Sequence, residues 1–164
     1  VMVYKDGLGW VNIDSQMPNY LVKEWLMSNR SRFKEHTTIK PEFSYGNSRV
    51  DFYLECGSRK ILMEVKGVTL ERDGIGYFPD APTQRGIKHI NELIKATDEG
   101  YETYLAFVIQ MNGIKEVRPN TETHPEFGEA IERAKKAGVK VLFLECEVES
   151  NEVKIRGETF VQHM

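Results

Sequence analysis

Two hydrophobic rhythms alternate along the chain. Residues 17–29 place Leu21, Val22, Trp25 and Leu26 on one side of a helix, with Pro18 in its first turn, and predict an amphipathic helix. Residues 37–45, TTIKPEFSY, turn to strand-like composition, and Pro41 among them points to a sheet edge. Residues 47–67, NSRVDFYLECGSRKILMEVKG, form two alternating runs broken by a Gly-Ser turn, the pattern of a β-hairpin. A polar stretch leads to FPDAPTQRGIKHINELIKATDEG, whose proline-bounded start and closing Gly100 delimit a second helix, with Asp80 as its expected cap. Ile87, Ile90, Leu93 and Ile94 make the buried face of that helix. TYLAFVIQ is continuously apolar, as a central strand covered on both faces should be. Thr123 and Glu126 have capping-box spacing before a third helix through Phe127, Ala130, Ile131 and Ala134, which stops at Gly138. Residues 139–149 read as a final long strand.

The order is helix, three strands in a meander, helix, strand, helix, strand. Strand–helix–strand steps make right-handed parallel crossovers, so the expected architecture is α/β, a mixed β-sheet flanked by helices. Residues 1–12 start without Met and carry strand-like residues with no partner nearby. They read as the remnant of a preceding domain, with 13–164 as the α/β domain.

Composition adds limits. With 164 residues, 40% hydrophobic and 29% charged, the chain suits one globular domain with a real core. No apolar run approaches the roughly 20 residues of a membrane span. Cys56 and Cys146 form no C-x-x-C pair and suggest no disulfide framework, which predicts a reducing, cytoplasmic setting. A net charge of −3 gives no global signal for nucleic acid. Lys and Arg nevertheless outnumber acids between residues 21 and 66 and are outnumbered after residue 120, which favours one anion-facing side.

The hairpin gives the sharpest clue. A two-residue turn at Gly57-Ser58 sets Val50 opposite Val65, Phe52 opposite Met63 and Leu54 opposite Ile61, an apolar match on one sheet face. On the other face Asp51 falls opposite Glu64, and Arg49 opposite Lys66. A matching turn at Gly46-Asn47 brings Glu42 opposite Asp51. Facing like charges on adjacent strands are destabilising. One reading is a solvated face on which Lys66, Arg49 and Lys60 neutralise the acids. The better one is a hard divalent cation, Mg²⁺ or Mn²⁺, held by Glu42, Asp51 and Glu64 and completed by substrate phosphate. Zinc does not suit a chain without paired His or Cys at ligand spacing.

An Asp followed on the next strand by Glu-x-Lys is the pattern of the PD-(D/E)-x-K nuclease superfamily. Together with GYFPDAPTQRGIKHINEL, YGNSRVDF, MEVKGVTL and PNYLVKE, it makes residues 11–146 resemble the sugar fermentation stimulation protein (SfsA) family of prokaryotes. The resemblance implies a restriction-endonuclease-like core, DNA binding, and a link by name to regulation of sugar (maltose) metabolism genes. It also implies that residues 1–12 are the last strand of an N-terminal OB-fold-like domain. His124 stands where the family pattern suggests an acid, a helix-start substitution away from the acidic row. The motif carries over residue by residue: Asp51 and Glu64 match the metal-binding acids, Val65 would lend its backbone carbonyl, and Lys66 matches the lysine that activates the attacking water. Glu42 comes from the register alone, with Glu24 on the first helix as a weaker alternative. Arg85, Lys88, His89 and Glu92 share the helix face opposite Ile87, Ile90 and Ile94, and with Arg49 the first three are the expected nucleic-acid contacts. Gly86 between them would let a backbone approach closely. His36 and His163 receive no role. Two functions follow: a Mg²⁺- or Mn²⁺-dependent deoxyribonuclease, or a DNA-binding regulator that keeps the nuclease fold without turnover.

Overall fold

The computed structural model describes residues 1–36 and 38–159, so Thr37 and His163 lie outside the described residues. Its centre is β8 (Glu102–Ile109), buried from Thr103 onward as its unbroken apolar run demands. On either side lie β5 (Arg59–Val68) and β10 (Lys140–Val148), both parallel to it. Beyond β5 come β4 (Ser48–Cys56) and the edge strand β3 (Thr38–Tyr45), both antiparallel. Beyond β10 lies β11 (Val153–Thr159), which completes a six-stranded sheet in the order β11-β10-β8-β5-β4-β3. The expected mixed sheet is present, with β3 at the edge that Pro41 indicated.

Each sheet face is covered by helix. On one, α1 (Met17–Leu26) buries Leu21, Val22, Trp25 and Leu26 against Phe52, Leu54 and Met63. Trp25 meets Phe33 edge to face, and Phe33 meets Tyr104 likewise, at centroid distances of 6.0 and 5.0 Å. Truncating such a buried aromatic costs about 3–5 kcal/mol. On the other face, α2 (Gln84–Asp98) and α3 (Pro125–Ala137) bury Ile90, Leu93, Phe127 and Ile131. Ile87 and Ile94 are only half-buried, so the buried stripe of α2 runs through Gly86, Ile90, Leu93 and Ala96.

Both expected caps move. Thr83, not Asp80, caps α2: its hydroxyl accepts from the Gly86 N–H at 2.8 Å, while Asp80 is exposed. His124, not Thr123, stands at the α3 N-cap and makes no side-chain cap bond of its own. Its Nδ1 instead accepts from the Thr83 N–H at 3.1 Å, which ties the starts of the two helices together. Gly138 ends α3 as expected, in the left-handed region at φ 104°.

Three elements lie outside the sequence expectation. Residues 1–12 do find partners: β1 (Met2–Lys5) and β2 (Gly9–Asn12) form a hairpin. The Asn12 N–H donates to the Gln110 carbonyl at 3.1 Å, and Gln110 Nε2 donates to Asn12 Oδ1 at 2.9 Å, joining the hairpin to the end of β8. A small sheet pairs β6 (Leu70–Arg72), β7 (Ile75–Phe78) and β9 (Glu116–Pro119). The third is β11. No helix among the described residues is long and apolar enough to cross a membrane.

Candidate active site

β4 and β5 pair in the expected register from Cys56↔Arg59 to Phe52↔Met63, and there the ladder ends. Asp51, the next residue, supplies the missing bond with its side chain. Its Oδ2 accepts from the Val65 backbone N–H at 2.7 Å, and its Oδ1 accepts from Asn19 Nδ2 on α1 at 3.0 Å. The same fork corrects the predicted apolar face. Phe52 and Leu54 pack on the α1 side, but Val50 joins the α2 core, so the strand changes its facing at Asp51.

α1 reaches Asp51 because Gly67 lets it. A Cβ there would stand 2.8 Å from Pro18 Cγ and 2.3 Å from Gln110 Oε1, closer than any side chain allows. With no side chain at that point, the first turn of α1 settles on β5 directly after Lys66 and presents Asn19 to the fork.

Glu64 projects into the fork from β5, only 4% exposed, and hydrogen-bonds to Asp51. Burial first, and the Asp51 carboxylate second, push its carboxyl up to about 10, which favours the protonated form of Glu64 at neutral pH. Burial also pushes the Lys66 ammonium down, against the pull of Glu64 and Asp51. Lys66 Nζ lies 3.0 Å from His89 Nδ1, which in turn is 3.7 Å from Glu64 Oε1. His89 is pushed down to about 4, by burial and then by Lys66 and Arg85, and is neutral. An ammonium can only donate, so His89 Nδ1 accepts from Lys66 and the ring proton resides on Nε2.

The other predicted residues divide. Val65 takes part through its N–H. His89 stands among the acids and Lys66 instead of on a free surface. Arg85 and Lys88, in the first turns of α2, are exposed, as is Arg49, opposite Ser44 on β3. Gly86 admits no ligand: a Cβ there would meet Thr83 at 2.8 Å and Phe127 at 3.4 Å. Glu42 does not complete a row of three. The β3–β4 register holds on both sides of it, but at φ 52° the backbone is left-handed and Glu42 leaves the pleat, exposed. No three His, Cys, Asp or Glu side chains among the described residues form a metal-sized cluster. Glu42 and Asp51 instead line one cleft of about 450 Å³ with Asn19, Tyr20 and Lys23 of α1. Glu24, the weaker alternative on α1, is exposed. Asn19 is the site residue the sequence reading missed. Its signal was a polar residue in register with Val22 and Leu26 on the buried stripe of α1.

The sheet order, with helices on both faces, defines a restriction-endonuclease-like α/β core. The family model of the sugar fermentation stimulation protein RE domain matches residues 16–152. The chain belongs to the sugar fermentation stimulation protein family. Among its relatives, the sugar fermentation stimulation protein homolog of Desulfitobacterium hafniense is 51% identical over 150 residues, covering 92% of this chain and 65% of that protein. The homolog of Clostridium beijerinckii is 49% identical over 146 residues, covering 89% and 64%. The chain therefore spans just under two-thirds of these relatives' length. Among solved structures, Pyrococcus furiosus SfsA in complex with Ca²⁺ superposes with a TM-score of 0.84 at 28% identity, over 98% of this chain and 70% of that one.

Proposed function

We propose that the chain is a divalent-metal-dependent phosphodiesterase acting on DNA, with Mg²⁺ or Mn²⁺ held by Asp51, Glu64 and the Val65 carbonyl. One observation carries this reading: the carboxyl of Glu64, closed away from water, stands beside the half-buried carboxylate of Asp51, which lines an open cleft. A fold gains nothing from such a pair by itself, and a hard cation taking carboxylate oxygens removes the repulsion. The Ca²⁺ in the Pyrococcus structure is a hard, oxygen-preferring ion of this kind. When bound, the ion would supply an acidified water and screen the negative charge that builds on the phosphoryl oxygens.

The remaining work belongs to the chain. Lys66, its ammonium acidified by burial, moves a proton at the attacking water and steadies the phosphate. Neutral His89 accepts from Lys66 and aims it. Asn19 and the Val65 N–H fix both oxygens of Asp51. Arg85, Lys88 and Arg49, exposed around the fork, contact phosphates on either side and carry no base information. A non-catalytic DNA-binding regulator is the second reading, favoured by the presence of two carboxylates instead of three. Cleavage of single- and double-stranded DNA with Mg²⁺, Mn²⁺ or EDTA decides between them. Metal-dependent cutting that Asp51→Asn abolishes is expected, and a wild-type protein that binds DNA but never cuts it establishes the regulator.

A further inference from the structure

The outward side of α1 carries its own pattern. Tyr20, Lys23 and Met27 follow one another at helical spacing on the face opposite the buried stripe, and Tyr20 and Met27 are each 66% exposed. Single exposed hydrophobic residues are ordinary. Tyr20 differs in its place, because it walls the cleft that holds Asp51, with Lys23 one turn along the same wall. Its ring has no aromatic or hydrogen-bond partner among the described residues, whereas Tyr4, comparably exposed, packs edge to face on Trp10.

The opposite wall is Pro41 and Glu42. At about 450 Å³ the cleft has the size of a small-ligand site, room for one nucleotide. A stacked duplex can bring its phosphates to such a rim, but its base faces are covered by their neighbours. Tyr20 therefore suits a base that is already unstacked. Its ring offers a stacking surface, Lys23 a cation for the adjoining phosphate, and Glu42 an acceptor for a base amino group. The left-handed turn that removes Glu42 from the acidic row is what leaves it facing the cleft.

We propose that Tyr20 is a base-stacking platform and that the site takes single-stranded DNA, one base resting on Tyr20 while the adjoining phosphodiester lies at Asp51. This rests on the phosphodiesterase reading and adds to it the strandedness of the substrate. The test is fluorescence anisotropy of this chain with a labelled mixed-sequence single strand and with the matching duplex, in EDTA so that nothing is cut. Wild type should prefer the single strand. Tyr20→Ala should weaken that binding roughly 5- to 100-fold, leave duplex binding unchanged, and leave Mn²⁺-induced thermal stabilisation intact. Tyr20→Phe should stay within about twofold of wild type, since stacking needs the ring and not the hydroxyl. Three results overturn the proposal: an unaffected single-strand affinity in Tyr20→Ala, equal losses on both substrates, or Tyr20→Phe failing like Tyr20→Ala. If these occur while metal-dependent cutting still requires Asp51, the phosphodiesterase reading survives and this inference alone falls. If wild type binds neither DNA form and cuts neither, both fall together.

Discussion

The two ends of the β4–β5 hairpin treat charge in opposite ways. At the turn, Arg59 grips Glu102 of β8 through two bonds of 2.7 Å, with both side chains reaching water. Arg59 holds the Glu102 carboxyl below its usual range. At the fork, Glu64 is closed away from water beside another acid and is driven up to about 10. Each end holds a glutamate beside another ionisable side chain. What differs is access to solvent and the sign of the neighbour. The exposed pair is a decoration that the fold could lose; the pair of acids opposes the fold until something positive arrives, and on that ground we propose it as a site.

The contrast can be broken in several places. The largest effect is expected from Lys66→Ala, which should lower metal-dependent cleavage by roughly 10²–10⁴-fold in single-turnover assays. DNA affinity should move only a few-fold, because the role of Lys66 belongs to the transition state. A Lys66→Ala variant that cuts at the normal rate removes the mechanism.

Next in size is the thermal response to metal. At about a hundredfold excess over Kd, Mn²⁺ or Mg²⁺ should raise Tm by roughly 5–10 °C, and Asp51→Asn should remove most of that rise. Asn can still accept from the Val65 N–H, and Asn19 can turn its amide to suit, so the metal-free variant should melt no lower than wild type. A clearly lower melting point instead makes the acids a structural network.

The pH dependence follows from the same pair. Glu64 holds its proton in the folded state up to about 10 but loses it near 4.5 when unfolded. Between those values the folded state binds more protons, so this group makes metal-free stability fall as pH rises. His89, pushed down to about 4, acts the other way between 4 and 6.5, because there the unfolded state binds the extra proton. Lys66, also pushed down, adds an opposing slope below its ordinary value of 10.5. Glu64→Gln should therefore gain on wild type by a growing margin as pH is raised in denaturant titrations. A margin that stays constant with pH contradicts the raised Glu64 carboxyl.

Smaller changes are expected from the surface. Arg85→Ala should weaken DNA binding about equally for unrelated sequences and flatten the slope of log affinity against log salt by about 0.9 on duplex. An unchanged slope takes the start of α2 off the DNA. Smallest of all, Arg59→Ala at the turn should cost at most about 1 kcal/mol, roughly 2–4 °C in Tm, and leave cleavage untouched. If it abolished cleavage, the two ends of the hairpin would not be independent.

Much of this was legible in the chain. The apolar stripe of α1, the unbroken run of β8 and the two Gly-centred turns fixed the layers and the strand pairing, because burial and turn chemistry are written locally. The meeting of Asp51 with Glu64 followed from pairing alone. The fork did not. Strict alternation extends the β4–β5 pairing past Asp51, and nothing in the residue types announces the left-handed backbone at Glu42 that goes with the break. β11 hid behind Lys154, Arg156 and Glu158, whose alternation with Val153, Ile155 and Gly157 suits a half-solvated edge as well as a loop. β6, β7 and β9 have three or four residues each, too few for any period to show. Thr83 outcompeted Asp80 as a cap because it sits three residues before Gly86, where a hydroxyl can reach the free N–H.

Asp51 holds two offices, and that bears on how such a protein could change over generations. Its carboxylate closes the rung that β4 and β5 leave open, so a side chain without an acceptor there strands the Val65 N–H and loosens the whole fork. Drift away from chemistry is thus not free at this position. If the proposed metal site is real, a descendant that gave it up could shed Lys66 at little structural cost and could replace Glu64 with almost anything apolar of its size, yet it would still need Asp or Asn at 51. The aspartate alone is a record of the architecture; only Glu64 and Lys66, standing beside it, would record the use we propose for it.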